Sequence, residues 1–341
     1  MTEVRRIGLL GATGYTGRLV ADELAARGLP HRLGARSAER LGAMKHGGEA
    51  ETFIVDTNDP GRLAAFCDGI DAVISTVGPF VQLGMPVVEA AVEAGLPYVD
   101  STGEHVFMTD VYDKFAAAAS PVVPACGFDY LPGDLAAAVA AAQLSGPAQD
   151  IVVAYSVSGA RPTRGTARSA IGIAAHSRVA PRFLSIDGPD GEASGIEFPF
   201  GEQITVPLHL PLARVRTGII LGRRPVARAV GVAAPAFRLT GPAIGLMSPV
   251  LGRLVERLPE GPTEEVRRRA RYRVYAQATG RDGQVGHVLI EGSDVYRLTA
   301  QLLVEAALRV SGSGAMAPAQ GLEPATFLDA VSGELLTWRT Y

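Results

Sequence analysis

Two kinds of segment alternate along the first 125 residues of the chain. Short, nearly continuous apolar runs have the length of buried strands, and the segments between them have the spacing of amphipathic helices. The predicted strands are Val4–Leu10, His31–Ala35, Thr52–Val55, Ala72–Val77, Tyr98–Asp100 and Val122–Ala125. The predicted helices are Gly14–Arg27, Ala38–Lys45, Gly61–Cys67, Met85–Ala94 and Val106–Ala119. This alternation predicts parallel crossover units, and hence a doubly wound α/β sheet.

The pattern changes after Asp150. Ile151–Ser158 predicts a strand, and Arg271–Thr279 with Val285–Glu291 predicts a hairpin across residues 280–283. One helix face is predicted further on by four apolar residues at spacings of 3, 4 and 4: Val295, Leu298, Leu302 and Ala306. These segments indicate a second, α+β domain whose sheet is largely antiparallel.

Residues 187–262 are rich in glycine and proline and contain one long apolar run, Leu239–Leu251. A buried helix or a subunit interface would explain this run. Two alternatives remain open, an apolar wall for an acyl or polyketide chain and a membrane-binding segment.

A glycine-rich turn follows the first predicted strand and precedes the first predicted helix. Glycines permit a tight turn there and let the main chain approach a pyrophosphate, which then lies at the positive end of the helix. In this position the turn predicts a Rossmann-type dinucleotide-binding domain. The candidate cofactor contacts in this turn are Gly11, Thr13, Gly14, Tyr15, Thr16 and Gly17.

The end of the second predicted strand indicates which dinucleotide is bound. An NAD-binding protein usually has an acidic residue there for the ribose 2′-hydroxyl, but this chain has Arg36 and Ser37. An arginine can pair with the oxygens of a 2′-phosphate, so the sequence predicts NADP(H). Asp56, after the third strand, is a candidate adenine contact, and an ordinary loop role explains it about as well.

Three more strand ends supply candidate site residues, because ligands of open α/β sheets lie beyond the carboxyl ends of the strands. The further cofactor candidates are Val77, Gly78, Pro79, Phe80, Ser101, Thr102, Gly103, Cys126, Gly127 and Phe128. The catalytic candidates are Asp129, Tyr130 and Glu104, and the substrate-binding candidates are His105 and Thr166. Asp134 is a candidate helix cap.

Composition and charge exclude several functions. The formal net charge of −3 at pH 7 disfavours a nucleic-acid-binding surface. The 2 cysteines provide no disulfide framework and fit a reducing cytoplasm, and no metal site is expected from the spacing of the 6 histidines. No apolar run is long enough to span a membrane, so a soluble protein is expected. Neither Lys45 nor Lys114 follows a tyrosine by four positions, which excludes the Tyr-x-x-x-Lys catalytic pair.

Four motifs together resemble the saccharopine dehydrogenase-like oxidoreductases, and most of all their branch of trans-acting enoyl reductases. They are the segments 11–17, 78–80, 98–104 and 126–135, and a later element, 164–169, resembles the Gly-Thr-x-x-Ser element of that branch. The resemblance covers residues 5 to about 175, and 286–333 more loosely. It implies that a C-terminal helix returns to the nucleotide-binding domain. The expected domains are thus 1–130 with about 292–341 for NADP binding, and 131–291 for substrate binding and oligomerisation.

The resemblance also implies an NADPH-dependent reductase. In the branch it resembles, hydride is transferred to a conjugated C=C bond of an acyl or polyketide-like substrate, which suits the apolar middle of the chain. Carboxylates such as Asp129 and Glu104 would instead favour a C=N bond, as in an imine reductase or amino-acid dehydrogenase. A non-catalytic NADP(H)-sensing module is a further alternative. A homodimer is the expected assembly.

Overall fold

The computed structural model describes residues 6–44, 50–160, 163, 182–211, 214–222 and 260–341. Two compact units divide the chain. The first comprises residues 1–131 and 296–323, and the second comprises residues 132–295 and 324–341. Thr166 and the apolar run Leu239–Leu251 lie outside the described residues.

The first unit is built on a seven-stranded sheet in which every neighbouring pair is parallel. Its strands are β1 (Ile7–Leu10), β2 (His31–Ala35), β3 (Ala50–Ile54), β4 (Ala72–Ser75), β5 (Tyr98–Asp100), β6 (Pro121–Val123) and β13 (Gly314–Ala315). Their order is β13-β6-β5-β4-β1-β2-β3. The order reverses between β1 and β4, which is where doubly wound folds bind dinucleotides.

Helices connect these parallel strands, as crossovers require. They are α1 (Tyr15–Ala26), α2 (Ala38–Gly42), α3 (Pro60–Cys67), α4 (Phe80–Leu83), α5 (Met85–Glu93) and α6 (His105–Phe115), with α10 (Val295–Arg309) and α11 (Pro318–Gly321) near the C-terminal end. Aromatic side chains such as Phe66, Tyr98 and Phe107 fill a core cluster between helices and sheet. The buried strands and helix spacings therefore agree with the predicted Rossmann-type domain.

The second unit contains another seven-stranded sheet. Its strands are β7 (Ala148–Ser158), β8 (Phe183–Gly188), β9 (Gly191–Glu197), β10 (Arg214–Gly222), β11 (Arg271–Gly280), β12 (Val285–Ser293) and β14 (Leu336–Thr340). The order is β14-β12-β11-β7-β10-β9-β8, and among these described strands only the β7–β10 pair is parallel. Among its described residues, the helices of this unit are α7 (Leu131–Ala141), α8 (Glu202–His209), α9 (Glu264–Arg269) and α12 (Pro324–Val331).

The predicted fold class is confirmed, including the largely antiparallel second sheet and the β11–β12 hairpin. The hairpin of β8 and β9 was not predicted, although Asp190-Gly191 is a turn signal and Gly191 has a φ of 106°. Residues 296–323 belong to the first unit, whereas 324–341 belong to the second, where β14 pairs with β12. Among the described residues, no helix is both long and apolar enough to cross a membrane.

Candidate functional site

The predicted site residues that the structure describes lie in the first unit, in the loops that follow β1 to β6. Because all of these strands are parallel, their carboxyl ends meet at one edge of the sheet. Thr166, the remaining candidate, lies outside the described part of the chain.

The glycine-rich turn after β1 is closely packed main chain. Gly11 has a φ of 85°, a left-handed conformation that favours glycine. A Cβ atom on Gly17 would lie 2.1 Å from the carbonyl oxygen of Gly11, so no larger residue fits there. Gly14 begins α1 without a side-chain cap, and the first turn of α1 has no acidic residue. A helix start without a side-chain cap fits a pyrophosphate.

Two arginines that the sequence analysis did not select hold this turn. Arg18 on α1 and Arg40 on α2 both donate hydrogen bonds to the carbonyl oxygen of Thr13, at 2.7 and 3.0 Å. Their spacing in the sequence gives no signal of this convergence. The two guanidinium groups bring positive charge to the side of the turn.

The polar side chains that follow β2 and β3 differ in whether they already form hydrogen bonds within the protein. Arg36 is exposed immediately after β2, while the Ser37 hydroxyl accepts a hydrogen bond from the Arg40 amide and caps α2. After β3, Asp56 Oδ1 accepts hydrogen bonds from both the main-chain and side-chain nitrogens of Asn58. Arg36 is thus available to a ligand, whereas Asp56 has a local structural task.

The loop after β4 contains the cis peptide bond Gly78–Pro79 and leads into α4. At the start of α4, the amides of Phe80 and Val81 donate hydrogen bonds to the Glu104 carboxylate at 2.9 and 3.0 Å. Each Glu104 oxygen therefore accepts one of the two amide groups that α4 leaves without helical partners. This geometry supports a positioning role for Glu104 in fixing the loop of Val77 to Phe80.

The loops after β5 and β6 contact each other closely. A Cβ atom on Gly127 would lie 3.8 Å from the Cα atom of Ser101, and the amide of Cys126 donates to the carbonyl oxygen of Asp100 at 2.7 Å. The Cys126 thiol is fully buried and donates to the carbonyl oxygen of Val123. The two loops therefore form one assembly of candidate residues.

A tyrosine and a histidine are paired in this assembly. The Tyr130 hydroxyl donates to the carbonyl oxygen of Gly103 at 3.0 Å and lies 3.1 Å from His105 Nε2. Because the hydroxyl has only one proton, Nε2 is the donor of the second bond. Burial lowers the pKa of His105, which favours the neutral ring. The hydrogen bond from Nε2 would stabilise a phenolate, so Tyr130 is a candidate proton donor.

Asp129 lies beside this pair. A Cβ atom on Gly103 would be 3.7 Å from Asp129 Oδ2 and 3.9 Å from the Tyr130 hydroxyl. Solvent reaches Asp129, yet the protein packed around it raises the pKa of its carboxyl group above the ordinary value. Within the described residues, no hydrogen bond or ion pair engages this carboxylate. The Asp129 carboxylate is therefore a candidate ligand contact.

Helix α10 supplies two residues that the sequence analysis missed. Tyr296 packs edge-on against Tyr15 with ring centroids 5.4 Å apart, and Thr299 Oγ1 accepts a hydrogen bond from the Phe128 amide at 3.2 Å. The same helix is tied to α1 by an ion pair between Glu305 and Arg27 at 2.5 Å. These contacts join residues more than 170 positions apart, so no sequence spacing reveals them.

Two buried polar pairs lie in the second unit. Tyr155 donates a short hydrogen bond to the fully buried Glu202, and Asp134 pairs with His209 at 2.9 Å. Asp134, the candidate cap, therefore has a side-chain partner on α8. These pairs join α7, β7 and α8 within that unit.

Comparisons with known proteins agree with this architecture. Residues 11–99 match the NAD(P)H-binding family model. Trans-acting enoyl reductases of Mycobacterium tuberculosis and Mycobacterium leprae are each 38% identical over 138 residues, which is 37% of this chain and 33% of theirs. A further relative from Mycobacterium tuberculosis is 41% identical over the same length. The match thus spans about a third of these relatives.

Apo saccharopine dehydrogenase (L-Glu forming) from Saccharomyces cerevisiae aligns over 99% of this chain and 100% of its own. Its TM-score is 0.62 at 14% sequence identity, so it shares the fold of both units. The predicted resemblance to the saccharopine dehydrogenase-like oxidoreductases is therefore supported, with the shared fold as the part that extends over the whole chain. As in other proteins with an NAD(P)H-binding domain, the glycine-rich turn after β1 and the uncapped start of α1 suit a nicotinamide cofactor.

Proposed function

We propose that this protein is an NADPH-dependent reductase that transfers hydride to a conjugated C=C bond of an acyl or polyketide-like substrate. The observation that carries the proposal is the Tyr130–His105 pair, which lies in the loops after β5 and β6 and can supply a proton. The names of the enoyl reductase relatives support the same reaction class. In this proposal the first unit binds the cofactor and the second unit binds the substrate.

The preference for NADPH rests on the end of β2. Arg36 is exposed there and no acidic residue follows it in the loop before α2, so a 2′-phosphate would meet a cation rather than a carboxylate. Arg40 adds a second cation nearby through its bond to Thr13. When bound, the reduced nicotinamide supplies the hydride.

The chain's own contribution is a proton and a fixed geometry. Addition of hydride to the β-carbon leaves negative charge on the substrate's carbonyl oxygen, and the α-carbon then needs a proton. The Tyr130 hydroxyl gives this proton, the His105 Nε2–H donates a hydrogen bond to the phenolate that remains, and a proton from solvent restores the hydroxyl after turnover. Burial of Tyr130, which is 2% exposed, keeps bulk water from the hydroxyl.

Asp129 supports a second candidate function, reduction of a C=N bond. An iminium ion is positively charged, and the unengaged Asp129 carboxylate beside Tyr130 would stabilise it. Glu104 adds little to this alternative because its carboxylate oxygens already accept the amides of Phe80 and Val81. The substrate charge is therefore the property that distinguishes the two candidates.

An acceptor panel tests the proposal. Purified protein is mixed with NADPH or NADH and with one acceptor: an enoyl thioester, a cyclic imine, or an α-keto acid plus an amine. Oxidation of the cofactor is followed by the loss of absorbance of the reduced nicotinamide. Oxidation of NADPH by the enoyl thioester is the expected result. Oxidation by the imine alone would move the function to the second candidate. Tight NADPH binding without oxidation by any acceptor would favour the non-catalytic sensor.

A further inference from the structure

A buried carboxylate outside the predicted site connects the two loops that hold the candidate catalytic groups. Asp100 is the last residue of β5 and has no solvent exposure. Its Oδ2 accepts a hydrogen bond from the Tyr98 hydroxyl at 2.8 Å. Its Oδ1 accepts the amides of Thr102 and Ala125, both at 2.9 Å. Within the described residues, no lysine or arginine pairs with it.

The Ala125 bond holds an unfavourable main-chain conformation. Ala125 has a φ of 62°, a left-handed value that is unfavourable for a residue with a Cβ atom. The amide of Ala125 is bound by the Asp100 side chain, and the next amide, of Cys126, is bound by the Asp100 carbonyl oxygen. These two bonds turn the chain after β6 back toward the loop after β5. Strained conformations persist where the surrounding structure determines them, and they cluster at functional sites.

The other loop depends on the same carboxylate. Oδ1 of Asp100 fixes the Thr102 amide, and the Thr102 hydroxyl then accepts the Glu104 amide at 3.1 Å. Gly103 lies between these two anchored residues, and its carbonyl oxygen is the acceptor for the Tyr130 hydroxyl. One oxygen atom thus fixes both sides of the Gly103–Tyr130 contact.

We propose that Asp100 is a positioning residue: without touching cofactor or substrate, its carboxylate sets the loops after β5 and β6 so that Tyr130, His105 and Asp129 meet the substrate together. This inference rests on the proposed function. It differs from a purely structural role, because it places the effect of Asp100 on turnover rather than on cofactor affinity. The glycine-rich turn and Arg36, which hold the cofactor, belong to other loops.

The chemistry of the site defines a conservative replacement. Asparagine can keep all three bonds, because its amide oxygen can accept the two loop amides while its nitrogen donates to Tyr98. Alanine removes all three and leaves two loop amides without their acceptor. Tyr98→Phe is the matched control, since it removes a bond to Asp100 that lies outside both loops.

The test measures kcat, the Kd for NADPH and amide hydrogen exchange in each variant. For Asp100→Ala we expect kcat to fall by about a hundredfold, the loss that a displacement of roughly 1 Å can cause, with the Kd within threefold of wild type. The amides of Thr102, Ala125 and Cys126 should exchange faster. Asp100→Asn should restore kcat and amide protection, and Tyr98→Phe should keep kcat.

Three results would overturn the proposal. The first is that a folded Asp100→Ala protein keeps the wild-type kcat. The second is that Asp100→Asn loses more than tenfold in kcat while its loop amides remain protected from exchange. The third is that Asp100→Ala and Tyr98→Phe lose kcat equally. If Asp100→Ala does not fold, the Asp100→Asn result decides. If wild-type protein reduces no acceptor, the proposed function fails, but faster amide exchange confined to these loops still supports the positioning by Asp100.

Discussion

The loops after β1 and β2 and the loops after β5 and β6 lie at the same edge of one sheet, yet they are held by different means. In the first pair, the loop after β1 depends on glycine: Gly11 adopts a left-handed conformation, and Gly17 lets the main chain pass close to it. The second pair depends on buried side chains, with Asp100 bonded to the amides of Thr102 and Ala125. Main-chain packing suits a cofactor site, whereas a side-chain network can orient groups for proton transfer.

This difference predicts separable effects. Changes in the loops after β1 and β2 should weaken cofactor binding, and changes in the loops after β5 and β6 should lower turnover.

Loss of the Tyr130 hydroxyl should have the largest effect. In Tyr130→Phe the proton donor is gone, so we expect kcat to fall by roughly a hundredfold to ten-thousandfold. The Kd for NADPH, measured by calorimetry, should stay within threefold. Tyr112→Phe on α6 removes another buried hydroxyl of the same unit and should leave kcat unchanged. Equal activity of Tyr130→Phe and wild type would remove Tyr130 from the mechanism.

A side chain at Gly17 should weaken cofactor binding strongly. The added Cβ atom in Gly17→Ala would overlap the Gly11 carbonyl oxygen, so the turn must move, and we expect NADPH affinity to fall at least about a hundredfold with a stability loss of about 1–3 kcal/mol. Calorimetry and thermal unfolding measure the two effects. Gly42→Ala in α2, where a Cβ atom meets nothing within 4 Å, is the control and should bind normally. Tight binding by Gly17→Ala would contradict the cofactor site.

Arg36 should affect which nucleotide binds. Arg36→Ala should weaken NADPH binding by roughly ten- to a hundredfold, the loss expected when charge-assisted hydrogen bonds are removed. The affinity for NADH should be nearly unchanged. Arg6→Ala, just before the amino end of β1, removes an arginine from the opposite edge of the sheet and should change neither Kd. Equal losses for both nucleotides in Arg36→Ala would refute the contact with the 2′-phosphate.

The ion pair between Arg27 on α1 and Glu305 on α10 should affect the stability of the protein and the dependence of that stability on pH. Burial alone would raise the pKa of Glu305, but hydrogen bonds from Arg309 and Arg27 bring it below its ordinary value. A lowered pKa in the folded state gives stability that is present above the unfolded-state pKa and lost as the pH falls through the folded-state value. Glu305→Gln should cost about 1–2 kcal/mol at pH 7, since Arg27 and Arg309 are partly exposed to solvent.

Chemical denaturation of wild type and Glu305→Gln between pH 3 and pH 7 measures this. The stability difference should shrink as the solution is made more acidic than about pH 4.5. A difference that is constant over the whole range would show that the ionisation of Glu305 contributes nothing.

Sequence patterns predicted the first unit well because their signals are local. The glycine turn, the short apolar strands and the helix spacings each lie within a few residues. Asp100 was not among the predicted site residues, because its partner Ala125 lies 25 positions away on a neighbouring strand end. Tyr296 and Thr299 were missed for the same reason. Glu104 was predicted as a catalytic residue from its type, and only the structure revealed its bonds to Phe80 and Val81.

The most direct test of the proposed reductase follows the hydride itself. Purified protein is given NADPH with deuterium at the transferable position of the nicotinamide, together with an enoyl thioester in ordinary water, and the product is analysed by mass spectrometry and NMR. We predict one deuterium at the β-carbon and one solvent-derived proton at the α-carbon. The assignment of C=C reduction would be contradicted if NADPH binds tightly and the enoyl thioester stays unchanged, while a parallel sample with the cyclic imine gives a deuterated product.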